Sequence, residues 1–264
     1  MQTKHISDWY FILNRARKGS GGRAARHEAR TTQQIEFSKY IERKIPNFEI
    51  LNEEALEVIE NSAEEVLSEI GVKFPDNAFA LKLWKEAGAD IKGDLVKIPK
   101  GLARKLCSTA PATFTQHARS KIKNVEIGGK NLVCAPVYGP PFIRDLEGGR
   151  RYAEIADFEK LVKLAYMSKW VHHSGGTLCE PTDIPVNKRH LDMLFAHMTL
   201  SDKPYMGSVT APERAEDSVE MSEIIFGKKF VSENTVMTSL INLNSPLVLD
   251  ATMMGALEVY ARAN

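Results

Sequence analysis

The chain has 264 residues, of which 43% are hydrophobic and 26% charged, and a formal net charge of +1. These values are typical of a globular protein, and the near-neutral charge gives no global attraction to nucleic acid or membranes. No apolar run reaches the roughly 18 residues that cross a bilayer, and residues 1–8 have no apolar signal-peptide core. The widely spaced Cys107, Cys134 and Cys179 predict free thiols and a cytoplasmic location.

Residues 1–45 are predicted to form a basic N-terminal arm. Between Arg15 and Arg30 there are six basic residues and one acid, Glu28, around the glycine-rich stretch 19–22. Such a tract is typical of a solvated, flexible segment, and the alternative is an arm that docks on an acidic partner or on its own domain. The glycines do not form a phosphate-binding loop, because the Lys and Ser/Thr of that motif are missing.

Residues 46–130 are predicted to form an α+β cap region. Apolar residues at helical spacing predict two helices here, alternation around a glycine predicts a hairpin, and a proline suited to the N1 position predicts a third helix. The predicted elements are a helix from the N-cap Asn52 to Gly71, a helix from the N-cap Asp76 to Gly88, a hairpin at 89–98, and a helix that begins at Pro99 and ends near Thr109.

From residue 131 onward, strands and helices are predicted to alternate. The predicted strands are 132–138, 170–176, 203–207 and 235–242, the helices are 156–169, 188–201 and 213–227, a hairpin spans 142–152, and a last helix follows Leu249. The last three strands recur about every 33 residues, which is typical of the βα repeats of a barrel or a doubly wound sheet.

The ends of the predicted strands favour the barrel. Tyr138-Gly139-Pro140-Pro141 is not the glycine-rich fingerprint of a dinucleotide-binding sheet, and polar loops follow several strands instead. The last helix meets no stop signal before Asn264. We therefore expect an α/β protein whose region 131–264 is about the first half of an incomplete TIM (β/α)8 barrel, preceded by the α+β cap and the arm.

The loop Gly175–Pro185 is the leading candidate for a functional site. Its two glycines allow close approach of a ligand to the backbone, and Glu180 and Asp183 place carboxylates at the expected mouth of the barrel. A carboxylate there could bind a cation or act as general acid or base. The alternative is structural, with Asp183 capping a helix and Glu180 pairing with a nearby Lys or Arg.

Asn242 and Asn244, with Ser245, follow the last strand and are candidates to hydrogen-bond a polar ligand. The alternative is that they satisfy their own turn. Tyr138 and Tyr205 are candidates for an aromatic wall around an alkylammonium group, together with Phe142 and Trp170, or else they pack in the core.

A zinc site at His172, His173 and Cys179 is disfavoured. Adjacent residues of a strand point to opposite faces, so both histidines cannot bind one ion. One of the pair, for which we take His173, is expected to point into the barrel.

Several motifs in order along the chain resemble the trimethylamine methyltransferase family. They are Gly21-Gly22-Arg23-Ala24-Ala25-Arg26, the helix Leu51-Asn52-Glu53-Glu54-Ala55-Leu56 running to Glu69-Ile70-Gly71-Val72, Gly175-Gly176-Thr177 with Glu180-Pro181-Thr182-Asp183-Ile184-Pro185, and Asn244-Ser245-Pro246-Leu247 with Asp250. Each motif is weak alone, and their common order and spacing carry the resemblance.

The resemblance implies a TIM barrel about twice this length, so the chain would be its N-terminal half and inactive alone. It implies transfer of a methyl group from a methylated amine, trimethylamine or a quaternary amine such as glycine betaine, to Co(I) of a separate corrinoid protein. The corrinoid would be carried by that partner and not by this chain. The main catalytic residue, pyrrolysine in archaeal trimethylamine enzymes, would lie beyond Asn264.

Within that interpretation, Glu180 and Asp183 help to position the cationic substrate or shape the mouth, and Asn242 and Asn244 bond its polar end. The alternatives are a barrel that binds a methylated amine without turnover, and an inactive truncated fragment. A homo-oligomer remains possible.

Overall fold

Helices and short strands alternate along the residues that the structure, a computed structural model, describes: 37–242, 244 and 246–263. The strands are β1 Ile41–Glu42, β2 Val72–Lys73, β3 Asp90–Lys92, β4 Leu95–Lys97, β5 Thr113–Gln116, β6 Val125–Gly128, β7 Asn131–Leu132, β8 Phe142–Asp145, β9 Gly149–Tyr152, β10 Tyr205–Met206 and β11 Met237–Thr238. The helices are α1 Glu53–Glu65, α2 Ala78–Ala87, α3 Leu102–Cys107, α4 Ile155–Met167, α5 Arg189–Leu200, α6 Pro212–Phe226, α7 Lys228–Glu233 and α8 Ala251–Ala263. Most of the predicted basic arm, residues 1–36, lies outside the described residues, as do Ser245 and Asn264.

The strands form four small sheets. One has the order β1-β7-β6-β5, another has the order β2-β4-β3, β8 and β9 form a hairpin, and β10 pairs with β11. All of these pairs are antiparallel except β10–β11, which is parallel. The protein is therefore a mixed α/β structure, as expected, and none of these sheets closes on itself within the described part of the chain.

Backbone hydrogen bonds place four consecutive segments side by side in chain order. The N–H···O distances are 2.9 Å from His172 to Cys134, 2.6 Å from Gly139 to Thr177, 2.7 Å from Ser174 to Pro204 and 2.9 Å from Met206 to Gly175, and Tyr205 lies opposite Met237. Residue numbers rise together on both sides of each junction, so the segments run parallel. We call segments 133–139, 171–177, 204–208 and 236–240 the strand layer.

The strand layer is less regular than the sequence predicts. The predicted strand 132–138 forms a regular strand only at β7, and no regular strand is assigned within 170–176. These two predictions are wrong in extent, and the strands predicted at 203–207 and 235–242 are regular only at β10 and β11. Pro136 has no N–H to donate to a ladder, and Gly175 takes a positive φ of 92°, so the backbone bonds there remain isolated.

Most predicted helices begin and end within two residues of the observed bounds, with α1 continued by a π-helical turn over Val66–Ile70, and two helix starts are wrong. The N-cap of α2 is Asn77, whose Oδ1 accepts from the Ala80 N–H at 2.7 Å, whereas Asp76 lies in the preceding turn with φ 53°. Helix α3 begins after Gly101, which has φ 82°, and not at Pro99. At α1, Asn52 is the N-cap as predicted.

The two ends of the strand layer contact different parts of the cap region. Before β10 and β11, His117 N–H donates to the Thr235 carbonyl at 2.8 Å, and Arg119 donates to the Ser201 carbonyl at 3.0 Å. After β11, Val248 forms a parallel bridge with Lys73 of β2. The β5–β6 pair therefore lies at the N-terminal ends of the layer, and the three-stranded sheet lies beside the loop that leaves it.

Lys203 joins α4 to the strand layer. Its ammonium group is buried and donates to the carbonyls of Ala165, Ser168 and Val171 at 2.8, 2.9 and 2.6 Å. Burial, with a smaller contribution from nearby Lys123, lowers the pKa of Lys203 to about 8. These bonds satisfy carbonyls around the C-terminus of α4 that have no partner within the helix. Among the described residues, no helix is long and apolar enough to cross a membrane.

Candidate functional site

The candidate site lies where the segments of the strand layer end. Gly176 packs so closely there that a Cβ atom on it would lie 2.6 Å from Tyr138 Cε2 and 3.0 Å from Met206 Cβ. The three residues belong to three different segments and are in contact. Gly176 has no positive φ, so space and not backbone conformation requires glycine at this position.

Tyr260 of α8 extends this surface. Its hydroxyl donates to the Ser208 carbonyl at 2.5 Å, just beyond β10, and a Cβ atom on Gly207 would collide with the same ring. Burial raises the pKa of Tyr260, and the nearby Tyr138 raises it further. Both tyrosines therefore lie at the ends of the layer. We call Tyr138, Met206 and Tyr260 the mouth surface.

Both carboxylates of the candidate loop have structural partners. Glu180 Oε2 lies 3.0 Å from the Arg189 guanidinium of α5. Asp183 Oδ1 accepts from the Ile155 N–H at 2.9 Å, at the start of α4. These contacts follow the structural alternative of the sequence analysis, except that Asp183 bonds the helix before it in the chain and not the next one. They tie the loop to both helices.

Asn242 and Asn244 differ in their surroundings. Asn242 is exposed, whereas Asn244 Nδ2 donates to Asp250 Oδ2 at 2.5 Å, and its backbone forms two bonds with Val248. Asp250 also accepts from the Met253 N–H at 2.9 Å and so caps α8. Asn244 therefore makes the turn contacts named as its alternative.

Tyr205 lies behind the strand layer, away from the mouth surface. It is buried against Leu194 and Met198 of α5, and its hydroxyl lies 2.8 Å from the Ser222 hydroxyl of α6. Burial raises the pKa of Tyr205 to about 12. The residue therefore joins the layer to the helices.

His173 lies beside the β5–β6 pair and not at the mouth surface. Its Nε2 is 3.2 Å from Gln116 Oε1, and its Nδ1 accepts from the Gly175 N–H at 2.8 Å. The Gln116 amide also donates to the Tyr205 carbonyl at 2.9 Å. Burial lowers the pKa of His173 to about 3, so the ring is neutral at physiological pH. We call His173 and Gln116 the basal pair.

The other two residues considered as zinc ligands are also hydrogen-bonded or buried. His172 Nδ1 accepts from the Cys134 N–H at 2.9 Å, and burial raises the pKa of the Cys179 thiol to about 11. Within the described ranges, no group of three or more His, Cys, Asp or Glu side chains is arranged to hold a metal ion.

Sequence reasoning missed three residues around the site. In the sequence, Tyr260 is recognisable only as part of the apolar face of the last helix. Its contact with Ser208 joins residues that are 52 positions apart, so no local pattern predicts it. Nothing in the sequence around Gln116 indicates that its side chain is buried. Arg189 could have been found as one of two candidates, since Lys188 and Arg189 are the basic residues that follow Glu180 at the start of a predicted helix.

Comparison with known proteins identifies the family. The family model Trimethylamine methyltransferase (MTTB) matches residues 19–264. The chain belongs to the trimethylamine methyltransferase family. It is 44% identical over 220 residues to the glycine betaine methyltransferase of Desulfitobacterium hafniense (strain Y51). It is 29% identical over 179 residues to the proline betaine:corrinoid methyltransferase of Eubacterium limosum.

The two alignments also compare lengths. They cover 83% and 66% of this family member but only 46% and 34% of the relatives. The chain thus spans less than half the length of the relatives it matches. The family membership predicted from the motifs is confirmed, and the relatives' methyltransferase names support a transferase.

Proposed function

We propose that the chain is the N-terminal part of a methyltransferase that takes a methyl group from a quaternary amine of the betaine class. The methyl acceptor would be Co(I) of a separate corrinoid protein. The observation that carries the proposal is the 44% identity to a glycine betaine methyltransferase over 83% of this chain. The second relative is also named for a betaine and for a corrinoid.

We further propose that the strand layer belongs to a TIM barrel. Its four segments run parallel in chain order, with α4, α5 and α6 between them, as in successive βα units. In such barrels the active site lies at the C-terminal ends of the strands. The mouth surface lies at those ends, which supports it as part of the substrate site.

The chemistry of a quaternary nitrogen suits this site. When a methyl carbon of the substrate is attacked, the C–N bond breaks and its electron pair stays on nitrogen. The leaving group is a neutral tertiary amine, so the protein need not deliver a proton first. A reduced corrinoid on the partner would supply the nucleophile. This chain would hold the cation and orient one methyl group in line with the acceptor, so that proximity lowers the barrier.

Tyr138 and Tyr260 are the residues we propose to contact the ammonium group. A trimethylammonium group is attracted to the faces of aromatic rings and cannot donate hydrogen bonds from nitrogen. Met206, which meets Tyr138 at Gly176, adds a polarisable apolar contact for the methyl groups. Asn242 is exposed and is proposed to bond the polar end of the substrate.

Glu180 and Asp183 are proposed to shape the mouth and not to touch the substrate, because each already has a partner in the protein. Asn244 is assigned to the turn for the same reason. Tyr205 and His173 are left out of the proposed substrate site, since Tyr205 bonds Ser222 behind the layer and His173 belongs to the basal pair.

The test uses the protein expressed from its complete reading frame. Glycine betaine or trimethylamine is supplied with chemically reduced cob(I)alamin, and dimethylglycine or dimethylamine is measured. We expect turnover with glycine betaine and at least tenfold less with trimethylamine. Tyr138→Leu should raise KM for glycine betaine about tenfold, given roughly 1–2 kcal/mol for a cation–π contact, whereas Tyr138→Phe should keep most of the affinity.

Other results would contradict the proposal in different ways. Binding of glycine betaine without product would support a binding protein that lacks turnover. Faster turnover of trimethylamine than of glycine betaine would show that the substrate is a tertiary amine and not a quaternary one. The absence of both binding and turnover in a folded protein would support an inactive product.

A further inference from the structure

The β8–β9 hairpin exposes a cationic and aromatic face. Phe142 lies opposite Tyr152 and Arg144 opposite Arg150, so these four side chains share one side of the hairpin. The two rings are tilted by 36° with centroids 4.6 Å apart, and the Arg150 guanidinium lies 4.0 Å from the centroid of the Phe142 ring. We call these four residues, with Leu146 at the turn, the hairpin face.

The charges on the hairpin face are not balanced. Arg144 and Arg150 are direct cross-strand neighbours, and like charges in that position destabilise a hairpin. Neither arginine forms an ion pair with any acid among residues 37–242, 244 and 246–263, whereas Arg151 on the other side forms two. An acidic group that reached this face would relieve the repulsion.

The apolar part of the hairpin face is also exposed. Tyr152 keeps 60% of its surface open to solvent, and Leu146 is fully exposed at the turn. Arg and Tyr are the residues that most often dominate the affinity of protein interfaces, because they combine a large contact area with directed polar groups. The composition of the face is therefore typical of an interface.

The opposite side of the hairpin fixes its position. Ile143 packs against the core that contains Phe158 and Val162, and Arg151 bonds Asp157 of α4. Asp145 Oδ1 accepts from the backbone of Gly148 and so closes the turn. The hairpin face is thus presented on a fixed support, which reduces the entropy lost on binding.

The hairpin stands next to the candidate loop. Glu180 N–H donates to the Pro140 carbonyl at 3.0 Å, and Thr182 N–H donates to the Ala153 carbonyl at 2.8 Å. Both ends of the hairpin are therefore bonded to the loop that follows the second segment of the strand layer. A protein bound to the hairpin face would lie beside the mouth surface.

We propose that the hairpin face is a docking surface for an acidic patch of the corrinoid protein. This inference rests on the proposed function, which requires that partner to approach the mouth surface. Two arginines that have no ion pair within the described part of the chain, beside an aromatic pair, match a local carboxylate cluster. They do not form the extended basic stripe that neutralises many phosphates of a nucleic acid.

The test varies the partner and the hairpin separately. The probe is a purified corrinoid protein that accepts methyl groups from a glycine betaine methyltransferase. Its affinity for the full-length protein is measured by titration calorimetry, and its KM by methyl transfer at low and high salt. The variant is Arg144→Glu with Arg150→Glu, and the matched control is Lys228→Glu with Lys229→Glu on α7, which makes the same change of charge.

We expect the arginine variant to weaken binding of the corrinoid protein, and to raise its KM, at least tenfold at low salt. Turnover with free cob(I)alamin and KM for glycine betaine should stay the same, and the lysine control should behave as the unmodified protein. The milder variant Arg144→Gln with Arg150→Gln should show an intermediate loss of affinity for the corrinoid protein. It tests the effect of removing the two charges in case the charge reversal disturbs folding.

An unchanged affinity and KM for the corrinoid protein in both arginine variants would overturn the docking surface. Turnover with free cob(I)alamin would then still support the proposed function. If free cob(I)alamin gives no turnover but arginine-dependent binding persists, the function fails and the docking surface stands. Arginine-dependent binding of a single-stranded oligonucleotide, without binding of the corrinoid protein, would overturn the proposal in favour of nucleic acid.

Discussion

Arg151 donates to both carboxylate oxygens of Asp157, at 2.6 and 2.8 Å, and so joins the β8–β9 hairpin to the first turn of α4. Asp157 also accepts from the Glu154 N–H at 3.1 Å as part of a capping box. The hydrogen bond from Arg151 is the largest cause that lowers the pKa of Asp157, to about 2. The Asp157 carboxylate is almost fully buried, so the free-energy cost of burying its charge depends on its hydrogen-bond partners.

Replacing Arg151 should destabilise the protein through the carboxylate left behind. Arg151→Met would leave Asp157 buried without its main partner, and we expect the free energy of unfolding to fall by about 2 kcal/mol. Denaturant unfolding of both proteins measures the difference. Lys163→Met, which breaks an exposed pair with Glu159, is the control and should change stability by less than about 0.5 kcal/mol. Equal effects of the two changes would contradict the assignment.

The same pair predicts a response to acid. Because the folded pKa of Asp157 lies below its usual value of 3.8, the ionised carboxylate stabilises the fold above about pH 4. That contribution is lost as the pH falls from about 4 towards 2. In Arg151→Met the part of the unfolding free energy that is lost in acid should be smaller. Measurements of the unfolding free energy between pH 2 and 5 would reveal this. A curve parallel to that of the unmodified protein would argue against it.

Gln116 should be more important for stability than a polar residue in a short strand suggests. Gln116→Leu removes the partner of His173 Nε2 and the side-chain donor to the Tyr205 carbonyl, and both residues are buried. We expect a loss of about 1–3 kcal/mol, because the buried His173 Nε2 left without a partner retains its desolvation cost. Thermal and denaturant unfolding measure it. Gln116→Glu keeps the size of the side chain and changes its hydrogen-bonding groups, so it separates the two effects. A Gln116→Leu variant as stable as the unmodified protein would refute the stabilising role of Gln116.

Two buried histidines should make the protein less stable in mild acid. Burial lowers the pKa of His173 to about 3 and of His197 to about 4, in His197 against an opposing effect of its bond to the Gly176 carbonyl. Below about pH 6.5 the unfolded chain binds protons that the folded protein does not. The free energy of unfolding therefore falls as the pH drops from 6.5 to 4, by up to about 1.4 kcal/mol per pH unit for each histidine.

His197→Gln should remove one histidine's share of that slope. Chemical unfolding at several pH values between 4.5 and 7 measures the slope independently of the absolute stability. Ser174→Ala removes the hydroxyl 2.7 Å from His197 Nδ1 but keeps the imidazole, so its slope should persist. An unchanged slope in His197→Gln would show that this histidine is not the source.

Gly176→Ala should disturb the mouth surface directly. The added methyl group would lie within contact distance of Tyr138 and Met206, and overpacking of this kind costs about 1–3 kcal/mol. Displacement of Tyr138 should also raise KM for glycine betaine, if the proposed site is right. Gly148→Ala is the control, because the nearest neighbour of the added methyl group is the end of the exposed Asp145 side chain, at 3.2 Å. An unaltered KM in a stable Gly176→Ala protein would separate Tyr138 from the substrate.

Local patterns in the sequence predicted the elements that local chemistry determines. The hairpins at 90–97 and 142–152 follow from alternation around glycine turns, and α4, α5 and α6 follow from their apolar faces. Two helix starts were wrong by one and by three residues, because neighbouring Asp and Asn, or Pro and Gly, offer similar local signals.

The parts that failed depend on distant contacts. The apolar runs 132–138 and 170–176 looked like regular strands, but the partner segments offer them only scattered hydrogen bonds. For the site, the sequence singled out Tyr138 and the loop with Glu180 and Asp183. It could not show that Tyr260 reaches Ser208, or that His173 contacts Gln116 away from the mouth surface, since Gln116 and His173 are 57 positions apart in the sequence.

The bridge between Lys73 and Val248 has a consequence for synthesis on the ribosome. Strand β2 is made about 175 residues before the segment that covers its edge. At roughly 5–20 residues per second, that edge waits on the order of ten to thirty seconds. During this time its unpaired backbone groups can pair with other nascent chains. Slow translation of residues 74–247 should therefore increase dependence on chaperones, although the finished fold is unchanged.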